Sequence, residues 1–502
     1  MEASVTTAKR RIHHWVNGSE WDGDSARESQ VFDPASGEIT GHVSLASAGD
    51  VDRVVKTARE AFDSWRMEPL GRRARVMFSF RESLLRNRRE LAERITAENG
   101  KVLSDAEGEV QRGLEVVEFA SGIAHLLKGE YSEAVSSNVD SHSVRQPLGV
   151  AVGITPFNFP AMVPLWMFPV AIACGNCFIL KPSEKVPSAA NFMAELLHEA
   201  GLPPGVFSVL HGDKEAVDAL LTHPLVASVS FVGSTPVAKH VYKTGCAAGK
   251  RVQALGGAKN HMIVLPDADL DAAADAAVSA ASGSAGERCR AISALVAVDP
   301  VGDQLVDKIR ERAAAIRTAP GLEDSAEMGP LITRQHRDRV AGYVEQGVNE
   351  GATLVLDGRS LCDGAGFFLG PCIFDHVGPE MSIYRDEIFG PVLSVLRVPS
   401  YEEAIRLVND NPYGNGVALF TKDGGAARRF EFEIESGMVG INIPIPVPMA
   451  YYSFGGWGDS LFGDMHVHGP EGVRFYTRLK TVSTRFADPS QGGANLGFPL
   501  SD

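Results

Sequence analysis

The sequence predicts an α/β protein built on two parallel-sheet units, with a small β element attached. Three observations carry that expectation. Between Val150 and Leu255, short apolar runs alternate with stretches of helical period, the pattern of repeated βαβ units with helices on the faces of a parallel sheet. A second block of the same alternation follows from His261 to Ile434. The chain is 502 residues long, more than one hydrophobic core accommodates, so two or three domains are expected.

The elements follow in order. Residues 1–50 carry turn signals at Trp15-Val16-Asn17-Gly18 and Asp33-Pro34-Ala35-Ser36-Gly37 and read as short strands and turns. Residues 50–65 form an amphipathic helix with Val51, Val54, Val55, Ala58, Ala61 and Phe62 on one face and Asp50 as its cap. Residues 72–96 and 102–128 read as two more long helices, the latter carrying Arg112 and Glu115; an arginine on such a face is ordinarily solvated. Residues 136–145 are polar and poor in helix formers, and read as a protruding strand or hairpin.

A buried strand at 150–154 stops at Thr155-Pro156-Phe157-Asn158-Phe159-Pro160, where two prolines bracket Asn158 in a turn. Residues 164–173 read as a helix packed on all sides. Strands at 177–181, 206–210, 229–232 and 251–255 alternate with helices at 189–200, 214–221 and 237–244. The second block has strands at 261–265, 292–298 and 392–398, with helices at 270–281, 304–316, 335–350, 402–409 and 426–434. Residues 475–485 alternate as a strand, and 487–502 are rich in Pro, Gly, Ser and Asn and read as loosely ordered.

Composition excludes several function classes. Hydrophobic residues are 44% and charged residues 22%, as in ordinary globular chains. A net charge of −15 argues against a nucleic-acid partner, although a local pair of arginines can still hold an anionic small molecule. No apolar run approaches the ~18 residues of a membrane span, so no membrane partner is expected. Met1-Glu2-Ala3-Ser4-Val5 lacks the basic head and apolar core of a secretory signal, so the expected location is cytoplasmic. Six cysteines in a chain this long make no disulfide framework. Cys174-Gly-Asn-Cys177 has apolar flanks and no second ligand pair, and reads as buried small residues. His466-Val-His468 is too little for a metal and reads as a surface loop, so no metal site is expected.

Candidate chemistry sits at strand ends, where ligands bind on parallel sheets. In Gly283-Ser284-Ala285-Gly286-Glu287-Arg288-Cys289, small residues crowd the approach to a cysteine and an arginine precedes it. A neighbouring cation favours thiolate, the nucleophilic form, while the plain alternative is a buried cysteine in a packed turn. Lys181-Pro182-Ser183-Glu184 closes one strand; its carboxylate and ammonium suit the hydroxyls and phosphate of a nucleotide. Phe231-Val232-Gly233-Ser234 closes another and opens a helix, a pyrophosphate site made of backbone N–H groups. Glu387-Ile388-Phe389-Gly390-Pro391 offers a carboxylate to a second ribose, or is a solvated turn.

Taken together, these five motifs resemble the aldehyde dehydrogenase superfamily in order and spacing, over residues 12–486. The resemblance implies a Rossmann-type NAD-binding domain (1–130 and 147–256), an α/β catalytic domain (257–445), oligomerisation strands (131–146 and 475–490) and a flexible tail (491–502). It implies Cys289 as nucleophile, with the Asn158 side chain and the Cys289 backbone N–H as oxyanion hole. Thr155, Phe157, Lys181, Glu184, Lys185, Ser234 and Glu387 would hold NAD.

One departure matters. Hydrolytic members carry a glutamate before Leu-Gly-Gly as the base that activates water. Here the stretch is Gln253-Ala254-Leu255-Gly256-Gly257, and Ala254 cannot take a proton. A thioester on Cys289 then leaves more readily to a thiol, which needs less help from a base. The chain is accordingly most similar to the CoA-acylating methylmalonate-semialdehyde dehydrogenase family, through Gly257-Ala-Lys-Asn-His261, Gly283 to Cys289, and Val163-Pro-Leu-Trp-Met-Phe-Pro169. That resemblance implies oxidation of methylmalonate or malonate semialdehyde with decarboxylation to propionyl-CoA or acetyl-CoA, with coenzyme A as co-substrate. It implies that Arg112, in Gly108-Glu109-Val110-Gln111-Arg112-Gly113, and Arg288 hold the substrate carboxylate, which suits two guanidinium groups. It also implies a homotetramer and a place in valine, inositol or β-alanine catabolism. Other readings are a hydrolytic NAD-dependent enzyme for another short carboxylated aldehyde, a cysteine hydrolase, and a non-catalytic protein on the same fold.

Overall fold

The strand Val150–Ile154 is buried at every residue, and the first sheet grows from it in both directions. A computed structural model describes residues 10–486. In this sheet the parallel strands lie in the order Phe207–Val209, Cys177–Lys181, Val150–Ile154, Val226–Val232, Arg251–Leu255. Helices cover both faces, so these strands are buried along nearly their whole length, Ser208, Ser228, Ser230 and Gln253 included. Antiparallel pieces close the edges: His14–Val16 and Ser19–Trp21 on one side, Leu461–Phe462 on the other.

The strand order fixes where a ligand can sit. From Val150–Ile154 the chain builds outward through Cys177–Lys181 and Phe207–Val209, then returns to build the other way through Val226–Val232 and Arg251–Leu255. The crossovers therefore leave in opposite directions on either side of the Val150–Ile154 and Val226–Val232 pair, and a crevice opens outside their carboxyl ends.

A second, seven-stranded sheet runs Thr353–Leu356, Cys372–Asp375, Val392–Val398, Ile292–Val298, Asn260–Val264, Val417–Phe420, Val439–Ile441. All its pairs are parallel except the first. A three-stranded antiparallel sheet joins Tyr131–Ser136, Val139–Pro147 and Thr477–Arg485. It leaves Tyr131, Val135, Leu479 and Phe486 exposed.

Several expectations need correction. Asp50 is not the cap of its helix. Ala48–Trp65 is capped by Ser47, and Asp50 accepts from the Ser47 backbone in a capping box. The long helix expected at 72–96 is two, Leu70–Arg86 and Arg88–Asn99, broken at Asn87, whose side chain donates to the Ser83 carbonyl. The one expected at 102–128 ends at Ser121 and resumes as Ile123–Leu126. Residue 475 belongs to a helix, Gly469–Phe475, that precedes the last strand. His468 is no surface residue: it is buried, with its ring 5.6 Å from that of Trp166. The strands Thr353–Leu356, Cys372–Asp375, Val417–Phe420 and Val439–Ile441 went unread. Residues 487–502, including the expected tail, lie outside the described residues.

Candidate active site

The loop that leads to Cys289 is shaped by three consecutive left-handed residues. After the helix Leu270–Ser282, Ser284 (φ 49°), Ala285 (φ 52°) and Gly286 (φ 73°) turn the chain back on itself. Such angles cost non-glycine residues of order 1 kcal/mol each or more. At Gly286 a side chain is excluded outright, because a Cβ would lie 2.2 Å from the Gly390 carbonyl oxygen. The loop carrying Cys289 thus packs directly on the loop carrying Glu387.

Asn158 is buried, and its Nδ2 donates to the Glu287 carbonyl at 2.8 Å. Behind it, Lys101 donates to the Asn158 carbonyl at 2.6 Å and to Glu109 at 2.8 Å. Glu109 in turn accepts from the backbone of Ala161 and Met162. A buried ion pair therefore holds the whole turn after the first strand.

Cys289 lies on the wall of two cavities. The first, of about 270 Å³, is lined by Phe157, Asn158, Gly233, Ser234, Cys289, His336 and Glu387 among others, at the crevice the strand order predicts. The second, of about 310 Å³, is lined by Arg112, Trp166, Arg288, Cys289, Arg290 and Phe454 among others. Asp105, Glu109 and Arg112 reach the second cavity from one face of Leu103–Ser121, because positions three and four apart share a helix face.

The first cavity fits a dinucleotide. Ser234 is extended and its side chain makes no cap bond, which leaves the N–H groups of Thr235 and Val237 to meet phosphate, Pro236 between them having none. The Glu387 carboxyl takes one bond, from the Ala258 N–H at 2.9 Å. Its other oxygen faces Gly257, where a Cβ would lie 2.2 Å away. Burial pushes this carboxyl up to about 7, against the Ala258 N–H and the Lys259 charge. Lys181 is buried, donates to the Gly212 carbonyl at 3.0 Å and stands 3.7 Å from Glu184. Among the described residues the buried Thr155 hydroxyl has no partner. Lys185 lies 5.2 Å from the Phe157 ring centroid, and that ring meets Phe389 edge-on. Phe157, Asn158, Ser234, Cys289 and Glu387 share the cavity wall, whereas Glu184 and Lys185 line a smaller neighbouring depression.

The electrostatics of Cys289 differ from the expectation. Burial pushes its thiol up to about 11, although the residue keeps some exposed surface where the cavities reach it. The strongest opposing charge is Arg290, not the preceding arginine. Arg288 instead bonds Asp105 at 2.6 Å. Arg112 bonds Glu115 at 3.0 Å. Ala254 is wholly buried in its strand between Phe231 and Phe462.

Four contributors were missed in the sequence. Lys259, pushed down to about 7 by burial, donates to the Ile383 and Asp386 carbonyls and so fixes the approach to Glu387. His336, pushed down to about 4 by burial, lies 2.7 Å from the Phe389 carbonyl and 3.5 Å from the Glu287 carboxyl. Arg339 donates to the Glu387 carbonyl at 3.2 Å. Arg290 is the fourth. Only Lys259 carried a local signal, since it lies inside Gly257-Ala258-Lys259-Asn260-His261.

Cys289 and the Asn158 amide share the wall of a crevice that could hold a dinucleotide, an arrangement suited to an oxidoreductase of the aldehyde-oxidising type. The chain belongs to the aldehyde dehydrogenase family, which it matches over residues 21–482. The malonate-semialdehyde dehydrogenase of Pseudomonas aeruginosa is 53% identical over 493 residues, covering 97% of this chain and 99% of its own. The methylmalonate-semialdehyde dehydrogenase structure from Oceanimonas doudoroffii superposes with a TM-score of 0.94 at 52% identity, covering 96% of this chain and 99% of that one. A Sinorhizobium meliloti structure in complex with NAD gives 0.95 at 50% identity, over 97% and 100%. Among the described residues no helix is long and apolar enough to cross a membrane.

Proposed function

We propose that the protein oxidises malonate semialdehyde, or its 2-methyl homologue, with NAD and passes the acyl group to coenzyme A with loss of CO2. The observation that carries this reading is the position of Cys289, on the wall shared by an arginine-lined cavity and a dinucleotide cavity. The names of the similar proteins support the substrate class.

Thr155, Phe157, Lys181, Glu184, Lys185, Ser234 and Glu387 would hold NAD, which supplies a hydride acceptor. The chain's own residues do the rest. The Cys289 thiolate adds to the aldehyde carbon. The resulting oxyanion accepts from the Cys289 backbone N–H and from the second Nδ2 hydrogen of Asn158, the first being spent on Glu287. Arg112 and Arg288 orient the substrate carboxylate. Once the carbon is oxidised, that carboxylate is β to a thioester carbonyl. Its C–C bonding electrons can then form an enolate in the same oxyanion hole as CO2 departs. The enolate carbon takes one proton, balanced by the one the CoA thiol gives up, and the CoA sulfur then takes the acyl group and frees Cys289 as thiolate. Overall, semialdehyde, NAD+ and CoA give acyl-CoA, CO2 and NADH. Ala254 supports the thiol as acceptor, because a methyl group stands where a water-activating carboxylate would be needed.

The reading extends to a cytoplasmic homotetramer, with NAD-binding (1–130, 147–256) and catalytic (257–445) domains and assembly through residues 131–146 and 475–490. The exposed apolar side chains on the three-stranded sheet support the assembly. Six unpaired cysteines suit a reducing compartment.

NADH formation from malonate semialdehyde tests the proposal. With CoA the turnover should be sustained, with acetyl-CoA as product; without CoA it should stop near one equivalent per site. Undiminished turnover without CoA would overturn it in favour of hydrolysis, for which Glu387, on the same cavity wall as Cys289, is the candidate base.

A further inference from the structure

The two arginines proposed for the substrate carboxylate each carry an acid already. Arg288 donates from Nη2 to Asp105 at 2.6 Å and from Nε to the Ser284 hydroxyl at 3.3 Å. That hydroxyl in turn donates to the other Asp105 oxygen. The guanidinium lies over Gly283, where a Cβ would come within 2.4 Å of Nη1. Arg288 is therefore held along one edge, with two of its five N–H groups spent. The others remain for a ligand in the cavity that Asp105, Arg112 and Arg288 all line. Arg112 pairs with Glu115 at 3.0 Å, nearer to solvent: their side chains are 39% and 27% exposed, against 21% and 16% for Arg288 and Asp105.

Asp105 carries its charge. Burial works to raise its carboxyl, but the charges of Arg288 and Lys101 and the bonds from Ser284 and Arg288 hold it below the ordinary carboxylate range. That charge weakens the pull of Arg288 on a second carboxylate without moving the guanidinium. The balance matters for a carboxylate that must leave. In the acyl-enzyme the negative charge sits on the carboxylate, beside the arginines. As the C–C bond breaks, its electron pair moves to the thioester carbonyl oxygen at Asn158, CO2 departs uncharged, and the enolate carbon then takes a proton. An unopposed guanidinium stabilises the reactant more than this transition state, and so slows the step. We propose that Asp105 sets the strength of the carboxylate clamp: acting through Arg288, it keeps the substrate carboxylate bound loosely enough to leave as CO2. Glu115 does the same through Arg112, to a smaller extent because that pair is more exposed. This inference rests on the substrate reading above.

Asp105→Asn isolates the charge. Asparagine keeps the shape, since its oxygen can accept from Arg288 and its amide can donate to the Ser284 hydroxyl. Alkylation of Cys289 reads the clamp without turnover. Iodoacetate and iodoacetamide both lose iodide to the Cys289 sulfur and leave a thioether; they differ in a carboxylate against an amide. The ratio of their rates cancels any change in the sulfur itself. Rates are read on the Cys289 peptide by mass spectrometry, because Cys246 is also exposed. Asp105→Asn should raise the iodoacetate-to-iodoacetamide ratio by about tenfold, the strength of one charge-assisted bond. Asp105→Glu, which keeps the charge, should stay near the unaltered ratio.

In turnover with NAD, CoA and malonate semialdehyde, slower loss of CO2 lets the acyl group leave with its carboxylate. Asp105→Asn should therefore release malonyl-CoA beside acetyl-CoA, in a ratio about tenfold above that of the unaltered protein. A merely structural loss lowers both products together and leaves that ratio where it was. An alkylation ratio that falls or stays put in Asp105→Asn overturns the proposal, and so does acetyl-CoA formed with no rise in malonyl-CoA. If Asp105→Asn does not fold, Glu115→Gln on the more exposed pair takes its place. Both ratios should then rise about two- to threefold, and unmoved ratios overturn the proposal. If the unaltered protein makes no acetyl-CoA from malonate semialdehyde, the substrate reading fails, while the alkylation ratios still decide whether Asp105 governs the clamp.

Discussion

The side-chain amide of Asn158 donates to the backbone carbonyl of Glu287 at 2.8 Å, across 129 residues of chain. That bond ties the turn at the end of the first sheet's central strand to the loop of the nucleophile. It also sets the direction of the amide's other hydrogen. Asn158→Ala should lower kcat by about 10²- to 10³-fold, the loss usual for one oxyanion donor, and cost about 1–3 kcal/mol in stability because the buried Glu287 carbonyl loses its donor. A kcat within threefold of the unaltered enzyme would remove Asn158 from the oxyanion hole.

The nucleophile loop depends on a close backbone approach. Gly286 has φ 73° and no space for a Cβ beside the Gly390 carbonyl. Gly286→Ala should therefore cost about 1–3 kcal/mol in stability and shift Cys289 out of register. Urea unfolding and the rate of iodoacetamide labelling at Cys289 measure the two effects. An unchanged urea midpoint would show that the backbones do not meet there.

Lys101 and Glu109 form an ion pair almost wholly shut off from solvent. Removing one partner strands the other charge, which costs about 3–5 kcal/mol. Lys101→Met should be destabilising on that scale. Adding Glu109→Gln should recover much of the loss, because glutamine can still accept from Ala161 and Met162. Activity should stay low in both, since the Asn158 carbonyl has lost its ammonium donor. A double variant no more stable than the single one would contradict this account.

Glu287 links stability to pH. Burial pushes its carboxyl from 4.5 up to about 8, against the Ile332 N–H and the charges of Lys185 and Lys101. The His336 ring stands 3.5 Å away. The folded protein holds this proton more tightly than the unfolded chain does, so its contribution to stability is lost as pH rises from the unfolded value through about 8. Glu287→Gln has no such proton to lose. Thermal melts at pH 5 and pH 8 should show the unaltered protein losing more stability over that range than the variant. Parallel curves would assign the pH dependence elsewhere.

Much of this architecture is legible in the chain. Val150–Ile154 and Cys177–Lys181 stand out because strands covered on both faces become short apolar runs, whereas Arg251–Leu255 carries Gln253 in its middle. The turn chemistry that stops them, Pro156 and Pro160 around Asn158 or Gly233 before Ser234, marks where ligand groups emerge. The absence of a carboxylate at Ala254 is equally plain. Helix limits were less so: Asn87 and Gly122 break helices whose apolar period runs on past them, and Ser47 replaced Asp50 as a cap.

By itself, then, the sequence determined the α/β class, most of the first sheet's strands and the residue types at the chemical positions. Those are local properties of period and composition. Only the tertiary structure decided which charges are cancelled. Arg288 meets Asp105, Arg112 meets Glu115, and Arg290 meets no acid at all among the described residues. A side chain's charge is written in the sequence, but its partner and its distance from water are set by packing between segments far apart in the chain. For a buried ion those two quantities govern the energy.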